Sequence, residues 1–194
     1  MAARNAVLFF LMIFWLTVQS TVAQEDATIE STKLTDQIYM LTGHGGNLRV
    51  VIGQDGTFLI DDQFAPLTEK IIAELMVLGG DIPRFLINTH YHGDHTGGNE
   101  NLGKAGTLIV SHDNVRERLQ GGSFIREFNM LIPPAAPVAL PVVTFSEDIT
   151  FHLNGDTVQV IHIPHSHTDG DAIIHFVEAN VIHAGDIIFN GFYP

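Results

Sequence analysis

Cysteine is absent from this 194-residue sequence, and its absence restricts both the stability and the chemistry open to the chain. Without cysteine there is no disulfide, so a hydrophobic core must stabilise the fold, and no thiolate can ligate a metal. Histidine and carboxylate side chains would have to supply the ligands of any metal centre, and the chain has 11 His and 22 Asp+Glu. The composition is 45% hydrophobic, which is typical of a globular domain.

Positive charge is also scarce. Nine Lys+Arg oppose 22 Asp+Glu, the formal net charge is −13, and the basic residues form no cluster. Because nucleic-acid binding depends on lysine and arginine to neutralise phosphates, this balance favours a small-molecule partner over nucleic acid. There are no internal repeats, linkers or long polar tracts, so we predict one folded domain rather than several or a disordered chain.

One long hydrophobic run, Ala6–Val18, lies near the N-terminus, preceded by Arg4 and followed by small and polar residues. This pattern predicts a secretory signal peptide at 1–23, cleaved near Ala23. The alternative is a membrane anchor, because Thr21-Val-Ala23 is an imperfect cleavage site. The run is shorter than the roughly 20 residues of a membrane span, which favours cleavage. We therefore expect a domain at 24–194 that is secreted or periplasmic and has no membrane contact after cleavage.

Hydrophobic periodicity and turn residues predict a layered α/β fold. Helices are expected at 68–78, capped by Thr68, and at 113–120, with a short helical turn at 99–102. Four prolines in 124–141 indicate an irregular loop there. Strands are predicted at 37–42, 48–52, 57–61, 84–88, 107–111, 149–153, 158–163, 172–177 and 181–184.

The segment that carries chemistry follows the predicted strand at 84–88. If His90 and His92 continue that strand, their imidazoles face the same side. Gly93 would let the chain turn, so that Asp94 and His95 reach the same pocket. Three imidazoles and one carboxylate within six residues indicate a first-row metal site, for which zinc is the best fit. The alternative interpretation is a histidine-rich surface loop.

Two later positions extend this ligand set. His167 precedes a glycine-containing turn after an apolar strand and is a better ligand candidate than His165, which we expect to be exposed or outside the ligand set. Asp186 follows another strand and Gly185, so it is either a ligand or an ordinary strand-end cap. The other histidines are expected in strand or surface roles, although the glycine-rich loop around His44 could reach the site.

The motifs together resemble the metallo-β-lactamase superfamily, and the resemblance covers nearly all of the chain after the signal peptide. It implies an αβ/βα sandwich with two zinc ions at one edge of its sheets. It also implies a buried aspartate, Asp61, beneath the metals. The matching motifs are His90-x-His92-x-Asp94-His95, Pro164-x-x-His167-Thr168 and Gly185-Asp186.

The resemblance further implies a role for each ligand. His90, His92 and His167 would hold the first zinc. Asp94 and His95 would bind the second, with Asp186 as the bridge between the two metals. Catalysis would use a metal-activated hydroxide that Asp94 orients.

Within the superfamily, the bridging position distinguishes the subgroups. The best-known β-lactamases place cysteine or serine there, whereas Asp186 together with His95 is similar to glyoxalase II and the lactonases. We therefore predict a secreted zinc-dependent hydrolase of an ester, thioester, lactone or amide. A β-lactamase is the first alternative. Four residues, Phe124, Phe128, Met130 and Leu131, could flank the substrate or pack in the core.

One departure from the family pattern lies at the C-terminal end. The second zinc of the family normally has a further histidine after the bridging aspartate, and residues 187–194 contain none. We therefore expect the N-terminal part of the sandwich with its second half incomplete. This leaves a second alternative, a secreted zinc-binding protein without catalytic activity.

Overall fold

The computed structural model describes residues 27–125 and 129–189 of the chain. The predicted signal peptide and Phe128 lie outside these residues. None of the helices within the described ranges has the length and apolar character needed to cross a membrane.

Thirteen strands and four α-helices are found in the described residues. The helices are α1 (Thr68–Val77), α2 (Gly93–Thr96), α3 (Asn99–Lys104) and α4 (Asp113–Gly121). The strands are β1 (Glu30–Lys33), β2 (Ile38–Thr42), β3 (Leu48–Gly53), β4 (Gly56–Ile60), β5 (Phe85–Ile87), β6 (Leu108–His112), β7 (Ser123–Ile125), β8 (Met130–Ile132), β9 (Val143–Phe145), β10 (Asp148–Leu153), β11 (Asp156–His162), β12 (Ala172–Phe176) and β13 (Val181–His183).

The first sheet has seven strands in the order β1-β2-β3-β4-β5-β6-β9. Strands β1 to β4 pair antiparallel, whereas β4, β5, β6 and β9 pair parallel. Helix α1 lies between β4 and β5 along the chain, as a crossover between parallel strands requires. Because β4, β5 and β6 run parallel, their carboxyl ends meet at one edge of the sheet, where the segments after β4 and β5 come together.

The second sheet is an antiparallel meander of β10, β11, β12 and β13. Its first hairpin turns at Asn154 and Gly155, whose φ angles are 53° and 79°. Positive φ at both central residues is the requirement of a two-residue hairpin turn, and the Asn-Gly pair meets it with little strain.

Two hydrophobic clusters divide the molecule into layers. One fills the space between the two sheets and includes Ile60, Val110, Val160 and Phe176. The other joins the opposite face of the first sheet to α1 and α3, with members such as Leu75 from α1. The resulting order of helix, sheet and sheet confirms the predicted α/β sandwich for the part of the chain described.

Most predicted elements are found within two residues of their expected bounds, but three details were wrong. Thr68 does not cap α1, because it is already the first helical residue and its hydroxyl donates to the Ala65 carbonyl oxygen. The proline-rich segment is not wholly irregular, since β7 and β8 form an antiparallel hairpin. Strands β1 and β9 were not predicted.

Candidate metal centre

The candidate ligands gather at the carboxyl ends of β4 and β5. His90 and His92 lie in a loop after β5 ends at Ile87, so the prediction that they continue the strand was wrong. The loop nevertheless brings them together, with ring centroids 4.7 Å apart. Asp94 and His95 follow in α2, a single helical turn.

His90, His92 and His167 form the first group of ligand atoms. Nε2 of His90 lies 3.1 Å from Nδ1 of His92, and Nε2 of His167 lies 3.0 Å from the same nitrogen. Tetrahedral zinc with Zn–N bonds of about 2.0–2.1 Å holds its ligand nitrogens a little over 3 Å apart. The three rings therefore fit a zinc ion in type and spacing.

His90, His95 and Asp186 form the second group. All the ligand atoms within each of the two groups lie within 4.8 Å of one another. Oδ1 of Asp186 lies 3.1 Å from Nε2 of His95, whereas its Oδ2 lies 3.9 Å from His90 and 3.7 Å from His167. Asp186 thus faces both groups, which is the position a bridging carboxylate would occupy.

Asp94 lies at the outer side of the second group. Its Oδ2 is 3.5 Å from Nε2 of His95, and the side chain is 36% exposed. The hydrogen bond with His95 is the main cause that lowers the pKa of Asp94, so the carboxylate is charged at neutral pH. An exposed, charged carboxylate next to the ligand atoms is available to a substrate or to water.

Asp61 supports the centre from below. Its carboxylate is fully buried and accepts hydrogen bonds from the Thr89 amide, from the Thr89 hydroxyl and from Nδ1 of His95, each at 2.8 Å. The Thr89 hydroxyl oxygen also lies 3.0 Å from Nδ1 of His90. Because the hydroxyl hydrogen is committed to Asp61, Nδ1 of His90 is the donor here, which leaves Nε2 as the ligand atom.

The ligands differ in how firmly they hold a proton. Burial, followed by the nearby charge of His95, lowers the pKa of His90 to about 4, so this ring is neutral and ready to ligate. Burial alone would also lower the pKa of His95, but the charge of Asp61 and hydrogen bonds to Asp186 and Asp61 outweigh it and raise the pKa to about 12. A metal at His95 must therefore displace a proton.

Glycines around the centre permit backbone to approach the ligands closely. A Cβ at Gly46 would lie 2.4 Å from Cε1 of His95, and one at Gly97 would lie 2.6 Å from the Gln63 carbonyl oxygen. The loop around His44 does reach the site, but through Gly46. The chain does turn at Gly93, the first residue of α2, but the turn does not depend on glycine, since φ is not positive there and a Cβ would meet nothing within 4 Å.

The histidines outside the motif differ from one another. His165 is exposed, as expected, with φ of 57°. His183 is a site residue that the sequence reasoning missed: it is 5% exposed, and its Nε2 lies 3.5 Å from Oδ2 of Asp61. Alternation along β13 could have indicated that His183 faces the same side as the apolar interior.

The loop that carries His167 is attached to α4 through Asp169. Nδ2 of Asn114 donates to the Asp169 backbone oxygen at 2.6 Å, and Nε2 of His162 lies 3.2 Å from the same oxygen. The Asp169 carboxylate pairs with Nη2 of Arg118 at 2.6 Å. These contacts fix the backbone two residues after His167.

Two clefts open on either side of the centre. One, of about 920 Å³, is lined by His92, Asp94, Arg118 and Phe124, the last of these from the proline-rich segment. Leu131, also predicted to flank the substrate, is 73% exposed and does not line this cleft. The other cleft, of about 770 Å³, lies against the second group of ligands and is lined by Arg49, His95, Asp186 and residues of β13.

Comparison with known proteins places this geometry in a family. The sequence pattern of the metallo-beta-lactamase superfamily matches residues 41–194. No curated protein matches the sequence.

Solved structures share the fold. BJP-1, a subclass B3 metallo-beta-lactamase of Bradyrhizobium japonicum, has a TM-score of 0.66 and 25% identity over 80% of this chain and 59% of its own. A Cronobacter sakazakii metallo-beta-lactamase with a HARLDQ motif has a TM-score of 0.71 and 18% identity over 86% of this chain and 66% of its own. LRA-12, a class B3 di-zinc enzyme from an Alaskan soil metagenome, has a TM-score of 0.67 and 16% identity over 79% and 59%. The chain thus spans less than two thirds of the length of each.

Proposed function

The chain belongs to the metallo-beta-lactamase superfamily, and from this premise we propose that it is a zinc-dependent hydrolase. The observation that carries the proposal is the convergence of two ligand groups that share His90 and both face Asp186. An ester, thioester, lactone or amide is the proposed substrate, and glyoxalase II-like chemistry is favoured by Asp186 and His95.

Zinc in such a centre supplies a hydroxide nucleophile at neutral pH, because it lowers the pKa of water from 15.7 to about 7. His90, His92 and His167 would hold one ion. His95, Asp94 and Asp186 would hold the second. The donor set, imidazole and carboxylate without thiolate, is one that zinc accepts.

Asp94 is the proposed catalytic carboxylate. It lines the larger cleft and is half-buried beside His95, with its pKa held low by the hydrogen bond to that ring. A charged carboxylate at this position can accept a hydrogen bond from the attacking water and orient it toward a carbonyl group bound in the cleft. Asp61 and Thr89 keep His95 and His90 in the required orientation from below.

The test is zinc-dependent hydrolysis. The purified chain is stripped with a chelator, reloaded with zinc, and assayed against p-nitrophenyl esters, a thioester and a lactone. We expect hydrolysis that disappears on chelation and returns with zinc, and a His165→Ala control that behaves like the parent because His165 is exposed and outside both groups. Zinc binding without turnover of any substrate would instead support the non-catalytic alternative.

A β-lactamase is the second candidate function. The observation that favours it is the likeness to structures described as subclass B3 metallo-beta-lactamases, one of which shares 25% identity. A chromogenic cephalosporin assayed beside the esters distinguishes the two candidates. Ring opening at a higher kcat/KM than any ester would replace the favoured hypothesis with this one.

We also propose that the chain is exported with cleavage near Ala23. The support is the sequence pattern alone, a basic residue followed by an apolar run and small residues. N-terminal sequencing of protein recovered from the medium or the periplasm tests this. Recovery from membranes with an intact N-terminus would favour the anchor.

A further inference from the structure

A stacked pair of histidines, outside the two ligand groups, connects the two sheets. His112 is the last residue of β6 in the first sheet, and His162 is the last residue of β11 in the second. Their ring centroids lie 3.7 Å apart, and the ring planes differ by 19°. Rings at this separation are in van der Waals contact over their faces. The pair therefore joins the ends of two strands that belong to different sheets.

Hydrogen bonds fix the first ring of this pair. The Asn114 backbone N–H donates to Nδ1 of His112 at 3.2 Å, so this nitrogen is the acceptor and carries no proton. The proton is on Nε2, which donates to the Ser146 carbonyl oxygen at 3.1 Å. His112 is buried, and burial lowers its pKa, which keeps the ring neutral at neutral pH. Both nitrogens of His112 thus have partners, and the ring has a fixed orientation.

The second ring contacts the loop that carries a metal ligand. Nε2 of His162 lies 3.2 Å from the Asp169 backbone oxygen and is the donor, since a carbonyl oxygen can only accept. The side-chain amide of Asn114 donates to the same oxygen at 2.6 Å. Two donors match the two lone pairs of this oxygen. Together with the stack and the bond from Asn114 to His112, these contacts form a closed ring.

This ring of contacts lies between the two segments that supply the first ligand group. The loop with His90 and His92 follows β5, the neighbour of β6 in the first sheet, whereas His167 lies in the loop after β11 of the second sheet. Nε2 of His167 lies 3.0 Å from Nδ1 of His92, although no strand pairing joins the sheets in the described residues. The spacing of these ligands therefore depends on contacts between the sheets, and the stacked pair is one of them.

We propose that His112 and His162 are positioning residues that place His167 for the first zinc ion. The stack holds the His162 ring, and the N–H of that ring holds the Asp169 backbone, two residues after the ligand. The inference rests on the proposed metal centre, although neither residue of the pair belongs to a ligand group. The contact is also separate from the ion pair with Arg118, which uses the Asp169 carboxylate.

Loss of this support should weaken zinc binding without abolishing it. His167 is exposed, so its position depends on how firmly the adjoining backbone is held. A ligand that occupies its binding position for only part of the time binds metal more weakly by that fraction. One hydrogen bond changes such an equilibrium by a factor of about five. We therefore expect an effect of a few-fold at the first position and none at the second, whose ligands lie outside this loop.

The first experiment separates the hydrogen bond from the stack. Zinc affinity at both positions is measured by competition with a chromophoric chelator in the parent, His162→Phe and His162→Gln. Phenylalanine keeps an aromatic ring beside His112 without a donor, whereas glutamine keeps an N–H donor at a similar distance from the backbone. We expect His162→Phe to weaken the first position about fivefold and His162→Gln to recover part of that loss. Parent affinity in His162→Phe would overturn the proposal.

A control variant and a stability measurement exclude a general structural effect. His152 is exposed on β10, which pairs with β11, so His152→Gln should bind zinc like the parent at both positions. The melting temperature of each chelator-treated variant is recorded in parallel. A pair with only a structural role would lower the melting temperature of His162→Phe and leave the ratio of the two zinc affinities unchanged. That result would contradict positioning.

A double variant tests whether the two rings act as a unit. His112→Asn removes the ring but retains an acceptor for the N-terminus of α4, so it breaks the stack and leaves the His162 donor in place. We expect His112→Asn, His162→Gln and the double variant to weaken the first position by the same factor, because each removes the same stack once. Losses that multiply in the double variant would show that the rings act independently.

Hydrogen exchange examines the loop without metal. Exchange of the amides of residues 168–170 is compared in the chelator-treated parent and His162→Phe. We expect faster exchange there in the variant and unchanged exchange in β12, which follows the loop. Equal exchange in the two proteins would contradict a role in holding the loop. If the parent binds no zinc at the first group, the proposed function has failed, and exchange still decides whether the pair positions this loop.

Discussion

The two ligand groups of the metal centre share His90 but are supported in different ways. The His95 side rests on Asp61, a carboxylate with no exposed surface that accepts three hydrogen bonds. The His167 side depends on a loop held by the partly exposed pair of Asp169 and Arg118. One group is therefore fixed by the core of the protein, whereas the other is fixed by surface contacts that solvent can weaken.

This difference indicates how the centre forms. The groups beneath His95 are buried and hydrogen-bonded to one another within the protein. The loop at His167 has its ligand ring in an exposed segment, and its attachment to α4, through the backbone oxygen and the carboxylate of Asp169, lies two residues further on. We therefore expect disturbance of the His95 side to affect folding, and disturbance of the His167 side to affect mainly the affinity for metal.

The largest effect is expected from Asp61→Ala. The variant leaves His95 without the carboxylate that orients it and leaves the Thr89 amide without its acceptor, so we expect unfolding free energy to fall by about 3–5 kcal/mol. Urea denaturation of the chelator-treated chain measures this. Asp36→Ala is the matched control, since Asp36 is fully exposed and its ion-pair partner among the described residues is Lys33, and it should leave stability nearly unchanged. An equal loss of unfolding free energy in Asp61→Ala and Asp36→Ala would show that the His95 side is not supported by the core.

His90→Ala tests which ion His90 holds. Nε2 of His90 has one lone pair and can bind one ion, and its nearness to His92 assigns that ion to the first group. Loss of His90 should therefore weaken zinc at the first group, on the order of 100-fold or more, and His167→Ala should weaken the same position. Competition with a chromophoric chelator, which counts strong and weak sites, measures both variants. Loss of the second zinc with the first in His90→Ala would contradict this assignment.

The parts of the centre that could be predicted are those whose residues lie close together in the sequence. His90, His92, Asp94 and His95 fall within six residues, so their proximity follows from the chain itself, whatever the exact backbone. The strand predicted for His90 and His92 was wrong because three-residue β5 ends before them. The side chains nevertheless lie close together in the structure, since a loop that enters a helical turn can gather them.

Parts of the site that depend on tertiary pairing could not be predicted in this way. His183 and Arg49 lie on different sheets, and only the packing of β13 opposite β3 places them on one cleft. Strand β9 was missed because its exposed residues Val143 and Thr144 give no clear alternation, and its place beside β6 comes from a parallel pairing across more than 30 residues. The family resemblance, by contrast, was confirmed, because its motifs are short and contiguous.

A smaller effect is expected from pH on the zinc bound at His95. The pKa of His95 is raised from the ordinary histidine value of 6.5 to about 12. Its protonation therefore stabilises the folded chain fully below pH 6.5, and this contribution is lost as the pH rises through about 12. At neutral pH the metal-free ring therefore holds a proton that zinc must displace. The affinity of this position should rise about tenfold per pH unit between pH 6.5 and 8.5, with one proton released per zinc.

Titration calorimetry in buffers of different ionisation enthalpy counts that proton. The first group is the internal control, because burial lowers the pKa of both His90 and His92 and leaves these rings neutral at the same pH. Zinc uptake at the His95 position without proton release would show that Asp61 does not keep this ring charged.

The smallest effect is expected from the surface attachment of the His167 loop. Asp169→Asn removes the ion pair with Arg118 but retains the backbone oxygen that Asn114 and His162 contact, so unfolding free energy should fall by no more than about 1 kcal/mol. Zinc affinity at the first group should nevertheless fall several-fold, because the loop that carries His167 is then held only through the Asp169 backbone oxygen. Arg118→Lys, which keeps the charge, should recover part of the affinity that Arg118→Met loses.

Lys104→Met is the control for the loss of a surface ion pair. Lys104 pairs with Glu100 on an exposed helix surface at 2.6 Å, so this variant should leave zinc affinity unchanged.

The dependence of zinc affinity on salt also distinguishes the two sides of the centre. Raising the ionic strength from 0.05 to 0.5 M shortens the range of electrostatic interactions, which is roughly 10 Å near the lower value. The exposed pair of Asp169 and Arg118 is then screened, so the zinc affinity of the first group in the parent should fall toward the Asp169→Asn value. The same salt should disturb the orientation of His95 less, because the Asp61 carboxylate beneath it is inaccessible to solvent ions.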